Sequence, residues 1–193
     1  MAKALVIYAH PVPESLGGAA HLAVVNTLKT CGWDVDDCDL YAEGFDPVLS
    51  AEERRGYHDT ATNTAPVQGY VDRLRAADAV VFCFPVWNFG YPAILKGWFD
   101  RVMLPGVSFQ LADGKLTPCL DNIRKLAAVT TYGSTPWRAF LAGDPPKKLL
   151  NRVVWGTLRP DKIRYIAQYD MNNITPAGCE AFLARVTREM EAF

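Results

Sequence analysis

The sequence predicts an α/β domain in three layers, with a parallel five-stranded sheet between two layers of helices. Two observations lead there. Residues 4–9 (ALVIYA), 79–84 (AVVFCF) and 126–130 (LAAVT) are short, continuously apolar runs, the pattern of strands covered on both faces. Between them lie segments whose apolar residues recur at helical intervals, and strands alternating with helices imply right-handed βαβ units. At 193 residues, half of them apolar, the chain has the size of a single domain, residues 1–193, with a sizeable core.

Taken in order, Leu16, Ala20, Ala23, Val24 and Leu28 follow the first run at helical spacing and stop at Gly32, a residue suited to end a helix. A weaker strand signal lies at 33–40 (WDVDDCDL). Ser50 and Glu53 make a capping-box pattern that opens a short helix, and Val67, Tyr70, Val71 and Leu74 mark another after Pro66. Leu95, Trp98, Phe99 and Val102 follow Pro92, which suits a first helical turn. A second weak strand covers 163–169 (IRYIAQY), and Thr175 and Pro176 read as N-cap and N1 of a last helix carrying Phe182, Val186 and Met190. Residues 42–65 and 105–122 read as long irregular connections. Five strands and about as many helices suggest the flavodoxin-like strand order, 2-1-3-4-5.

Several function classes are excluded at this level. The 20 basic and 21 acidic residues are spread along the chain, for a net charge of −1, which offers no footprint for nucleic acid or an anionic membrane. The start, MAKALVIYAH, lacks the length and cleavage pattern of a signal peptide, and no stretch is long enough to insert in a bilayer. Five cysteines with no C-x-x-C pair argue against a disulfide framework and for the reduced cytoplasm. His10, His21 and His58 show no metal-ligand spacing, so no metal is expected. No G-x-S-x-G elbow, Rossmann fingerprint or Walker loop is present.

In a doubly wound sheet, ligands bind beyond the carboxyl ends of the strands, and three segments arrive there. AHPVPESLGG (9–18) puts His10 at a strand end and Ser15 at the mouth of a helix, whose free N–H groups suit a phosphate as well as a plain N-cap. PVWNFGYP (85–92) can present a proline-stiffened backbone to a flat polar ring, or simply cover a helix–sheet junction with its aromatics. TTYGSTPW (130–137) supplies hydroxyl and amide donors with a glycine for close approach; its plain alternative is a bare turn. Asp144, in GDPP, reads as a turn residue.

ALVIYAHPVPES, GWDVDDCDLYAEGFDPVLS, AADAVVFCFPVWNFGYPAILKGWFDRV and AVTTYGS together resemble the flavin-dependent NAD(P)H:quinone oxidoreductases, the DT-diaphorase and bacterial quinone reductase group of the flavodoxin-like superfamily. The resemblance runs in register over residues 3–135, and its specific part is PVWNFGYPAILKGWFDRV. It implies FAD, with FMN as the alternative, and NADH or NADPH as hydride donor to a quinone-type acceptor. It implies that His10, Ser15 and Leu16 lie against the flavin phosphate, that Pro85, Val86, Trp87, Asn88 and Phe89 edge the ring and ribityl chain, and that Thr130, Thr131, Tyr132 and Gly133 meet the pyrimidine side. Phe109 falls where the family reaches into a partner's substrate pocket, and a homodimer with shared active sites is implied. Tyr132 stands where members often have glycine, and Arg138 falls in the stretch where some members carry a Tyr and a His. Both therefore become candidate catalytic residues, Arg138 as an electrostatic substitute. The neighbouring readings are an FMN-dependent azo or FMN reductase and an ancillary oxidoreductase subunit of a potassium-efflux system; an electron-carrier flavodoxin fits poorly, since its acidity and its Ser/Thr/Gly-rich first loop are missing.

Overall fold

A computed structural model describes residues 1–112 and 114–193. Its centre is a sheet of five parallel strands: β1 (Lys3–Tyr8), β2 (Asp34–Asp39), β3 (Ala79–Val86), β6 (Lys125–Tyr132) and β7 (Lys162–Gln168). They lie in the order β2-β1-β3-β6-β7, which is 2-1-3-4-5 when these five are counted along the chain. Ile7 stands beside Cys38 on one side and Phe82 on the other, Phe82 beside Ala128, and Ala128 beside Tyr165.

The strand period of two divides the core. Leu5, Ile7, Val80, Phe82 and Ala128 face α3 (Gln68–Arg75) and α4 (Ala93–Val102), where Val71, Leu74, Leu95, Trp98 and Val102 are buried. Ala4, Val6, Val81 and Val129 face α1 (Leu16–Thr30) and α8 (Pro176–Glu191), packing on Val24, Leu28, Phe182, Val186 and Met190. All eight residues of β3 are buried, as a central strand covered on both faces requires. Edge strand β2 is half exposed and rich in Asp, which discourages edge-to-edge pairing. Pro85, next to last in β3, lies beside Thr131 of β6 but past the last β1 pair, Tyr8 beside Cys83, so on the β1 side no ladder calls for the N–H that proline lacks.

Caps set the helix ends. Ser15 Oγ accepts from the Gly18 N–H at 3.0 Å, and Thr175 Oγ1 accepts from Gly178 at 3.1 Å. Ser50 and Glu53 form the full capping box of α2 (Ala51–Gly56). Gly32 takes φ 85 beyond α1, the left-handed stop that glycine permits. Among the described residues no helix is long and apolar enough to cross a membrane.

Two segments depart from the sequence expectation. The connection 105–122 is not wholly irregular: β4 (Phe109–Ala112) and β5 (Lys115–Pro118) pair as an antiparallel hairpin, outside the main sheet. Each has four residues, too few to display a period. After β6 the chain forms α5 (Pro136–Leu141), α6 (Pro145–Lys148), a π-helical stretch (Leu149–Val154) and α7 (Trp155–Leu158). Trp137, Phe140, Leu141, Val153 and Trp155 in this stretch are exposed, so no inward apolar stripe announces it.

Candidate active site

The three segments singled out above converge at the carboxyl end of the sheet. Ala9 continues the ladder by donating to the Cys83 carbonyl at 2.9 Å, which leaves His10 just beyond the strand. The His10 Nδ1 accepts from the Val12 N–H at 3.0 Å, so the ring proton sits on Nε2 as a free donor. Burial lowers the His10 pKa from its ordinary 6.5, which keeps the ring neutral near pH 7. Ser15 Oγ lies 3.3 Å from that Nδ1, donates to the Val12 carbonyl at 2.8 Å and caps α1. With Gly18 taken by the cap, the Leu16 and Gly17 amides have no partner among the described residues, and a helix N-terminus presenting such amides suits an anion.

The second segment is a tight turn. Trp87 and Gly90 exchange backbone hydrogen bonds at 2.8 and 3.2 Å, and both residues between them are left-handed, Asn88 at φ 49 and Phe89 at φ 56. Asn tolerates this conformation; for Phe it is an outlier of the kind that clusters at ligand clamps. The turn rests on an aromatic stack, Phe84 to Tyr91 at 4.8 Å and Tyr91 to Phe99 at 5.3 Å between ring centres. The Trp87 ring stands 5.9 Å from His10, joining the first two segments.

The third segment faces the second across a cleft of about 210 Å³ lined by Val86, Asn88, Phe89, Tyr132, Gly133 and Ser134. Gly133 is exposed, and a Cβ placed on it would find its nearest neighbour, Asn172, 3.9 Å away. The glycine therefore leaves open space on the ligand side without being needed for the fold. Two residues past β7 brace this loop, the Asp170 N–H donating to the Ser134 carbonyl at 2.9 Å and Asn172 Nδ2 to the Gly133 carbonyl at 3.4 Å.

The structure brings His10, Ser15, Leu16 and Trp87 together on one side and Val86, Asn88, Phe89, Tyr132 and Gly133 on the other. Pro85 and Thr130 are buried beneath them, and Thr131 is half-buried. Two expectations change. The Tyr132 side chain does not stand free above a ligand: it is 1% exposed, and its hydroxyl donates to Asp144 Oδ1 at 2.6 Å and meets the Tyr165 hydroxyl at 2.5 Å. Arg138 lies exposed on α5, outside the residues lining the cleft. Phe109, expected at a partner's pocket, sits within this chain at a separate apolar hollow with Phe99, Met103, Leu149 and Val154.

Asp144, expected only to make a turn, is a missed residue of this site. It takes φ 44 before α6 and accepts from two tyrosines, since besides Tyr132 the Tyr169 hydroxyl donates to its Oδ2 at 3.4 Å, with the Tyr169 ring stacked on Tyr132 at 4.5 Å. Desolvation pushes the Tyr132 and Tyr165 phenols well above their ordinary 10 and raises Tyr169 to about 12, so all three remain protonated donors. Glycine- and proline-rich spacing around Asp144 conceals this role; the tyrosines in IRYIAQYD were the available signal.

A crevice at the switch point of a doubly wound parallel sheet, with unpaired amides at a helix mouth and at a strained turn, is the place and the chemistry that suit a phosphate-bearing ligand. Comparison with known proteins narrows the class: the chain belongs to the family described as having a flavodoxin-like fold, which matches residues 2–191. The rat protein named NAD(P)H dehydrogenase (quinone) 1 is 35% identical over 148 residues, covering 68% of this chain and 54% of that protein. The human protein named ribosyldihydronicotinamide dehydrogenase (quinone) is 33% identical over 148 residues, 68% of this chain and 64% of that protein. The chain thus spans between half and two thirds of these relatives. Among solved structures, Smu.1420 from Streptococcus mutans UA159 superposes with a TM-score of 0.87 at 27% identity, covering 99% of this chain and 100% of that one.

Proposed function

We propose that this chain is a flavin-dependent NAD(P)H reductase that transfers two electrons to a quinone-type acceptor, with FAD or FMN held at the junction of the three loops. The observation that carries the reading is the Trp87–Gly90 turn set against open Gly133. The Asn88 and Phe89 amides have no hydrogen-bond partner among the described residues, and the two residues line the same cleft as Gly133, where a ring can approach the backbone without meeting a Cβ. The quinone dehydrogenases to which the chain is similar support the choice of reaction.

A flavin supplies the capacity to take up and release a hydride. The chain's own residues bind and orient. His10 Nε2–H and the Leu16 and Gly17 amides hold a phosphate, while the turn amides face the edge of the ring and Val86 and Phe89 wall it off from water. With Tyr132 locked by Asp144, no side chain of the cleft needs to titrate. Orientation and exclusion of water are the protein's contribution.

The same reading includes a homodimer. Trp137, Phe140, Leu141, Val153 and Trp155, between 45% and 69% exposed, supply large apolar side chains for such an interface, and a partner's Phe109 would complete the acceptor pocket. Five free thiols suit a reduced, cytoplasmic setting. An absorbance spectrum of the purified protein, with chromatography of the released flavin and assay of NADH and NADPH oxidation with and without a quinone, tests the reading. A protein that is colourless and cannot be loaded with either flavin sinks it, and oxidation driven by an azo dye but not by a quinone redirects it to azoreduction.

A further inference from the structure

We propose that Asp144 is a fixed negative charge behind the flavin cleft that opposes accumulation of reduced flavin, with Tyr132 as the partial screen between the two. The inference rests on the flavin reading above and goes beyond it by assigning the control of redox balance to a charge outside the cleft lining.

The argument begins with partners. Among the described residues no Lys or Arg nitrogen lies within 4 Å of the Asp144 carboxylate. Its side-chain contacts are the Tyr132 and Tyr169 hydroxyls. Lys147, one turn on, is directed elsewhere, over the Tyr165 ring at 5.7 Å, and the Tyr91 hydroxyl donates to the Pro146 carbonyl. The carboxylate's direct contacts are therefore phenols, and the Lys148 ammonium, which stands by the neighbouring Gly143, makes no ion pair with it. Hydroxyl dipoles offset its field in part and cannot cancel it, and in a partly desolvated site the remainder acts over several ångströms. Tyr132 joins the two places, since it is one of the residues at the cleft while its hydroxyl holds the carboxylate. Reduced flavin gains negative charge that oxidised flavin lacks, so the fixed charge disfavours the reduced form selectively. A flavin held this way is a readier donor to the acceptor.

Two variants separate charge from structure. Asp144→Asn keeps shape and left-handed φ, which Asn tolerates at least as well, and removes the charge. Tyr132→Phe keeps the charge and removes its nearest screening hydroxyl. Wild type and both variants are loaded with FAD or FMN. The dissociation constant of the oxidised flavin is read by fluorescence quenching, and the midpoint potential by equilibration with a reference dye. The ratio of reduced to oxidised affinity is expected to rise three- to tenfold in Asp144→Asn, tenfold being about 30 mV for a two-electron couple, and to fall in Tyr132→Phe. A purely structural role weakens both redox forms together and leaves the ratio unmoved. An unchanged ratio, or movement of both variants in the same direction, overturns the proposal while leaving the flavin site intact. Failure of the wild type to bind either flavin overturns the reading of the site, and this inference with it.

Discussion

The Arg101 guanidinium, 8% exposed on α4, donates to the Glu53 carboxylate at 2.7 to 2.8 Å across 48 residues of chain. It also donates to the Asp46 carbonyl and stands 5.7 Å over the Phe45 ring. One buried cation thus staples the 45–53 connection to the helix that follows the Trp87–Gly90 turn. Arg101→Ala strands Glu53 and is expected to cost roughly 3–5 kcal/mol. The double variant Arg101→Ala/Glu53→Gln costs less, because no unpaired charge is left and the Gln still reaches the Ser50 N–H. Urea unfolding of both variants decides the order.

The same pair gives a pH dependence. Desolvation raises the Glu53 pKa, but hydrogen bonds from the Ser50 backbone and from Arg101 outweigh it and hold the carboxyl below its ordinary 4.5. A carboxyl that titrates lower in the folded chain contributes its full stability above the unfolded value and loses it as the pH falls through the folded one. Wild-type stability is therefore expected to drop below about pH 4.5 more steeply than that of Glu53→Gln, the two curves converging at low pH.

Glycines sort by what a methyl would meet. On Gly18 it would stand 2.1 Å from the Pro13 carbonyl oxygen, against 3.4 Å to His10 from Gly17 and 3.9 Å to Asn172 from Gly133. Gly18→Ala is expected to lose about 2 kcal/mol or more, as overpacking against backbone does, and Gly17→Ala far less. Gly133→Val leaves thermal stability near that of the wild type and lowers flavin occupancy, read by absorbance after loading. Full occupancy would remove the ring from that loop.

His10→Ala removes the Nε2 donor from the phosphate position. Affinity for FMN is expected to fall about tenfold, some 1.4 kcal/mol, while affinity for riboflavin, which has no phosphate, stays the same. An equal loss for both ligands would show that His10 shapes the loop and does not hold the phosphate.

Most of the sheet was legible because burial on both faces forces unbroken apolar runs such as AVVFCF, and most helix ends because Ser15, Ser50 and Thr175 cap by local chemistry. The hairpin at Phe109–Pro118 and the helices from Pro136 to Leu158 were not, since a four-residue strand shows no period and helices with exposed apolar faces point no stripe inward. The loops of the site could be found from composition. The role of Tyr132 could not, because the same residue reads as a wall of the cleft until its hydroxyl is seen to be taken.

By itself the sequence determined the α/β class, the five sheet strands and the helices α1, α3, α4 and α8 in their order along the chain, and the three loops that meet at the switch point, all set by short-range periodicity and capping. Only the tertiary structure decided which residues share a space. It joined Asp144 to Tyr132 and Tyr169, set the Tyr165 hydroxyl against that of Tyr132, and placed Arg138 and Phe109 outside the lining of the cleft within the chain. Contacts of this kind depend on how strands β6 and β7 lie side by side and on where α6 folds back, and no local pattern encodes either.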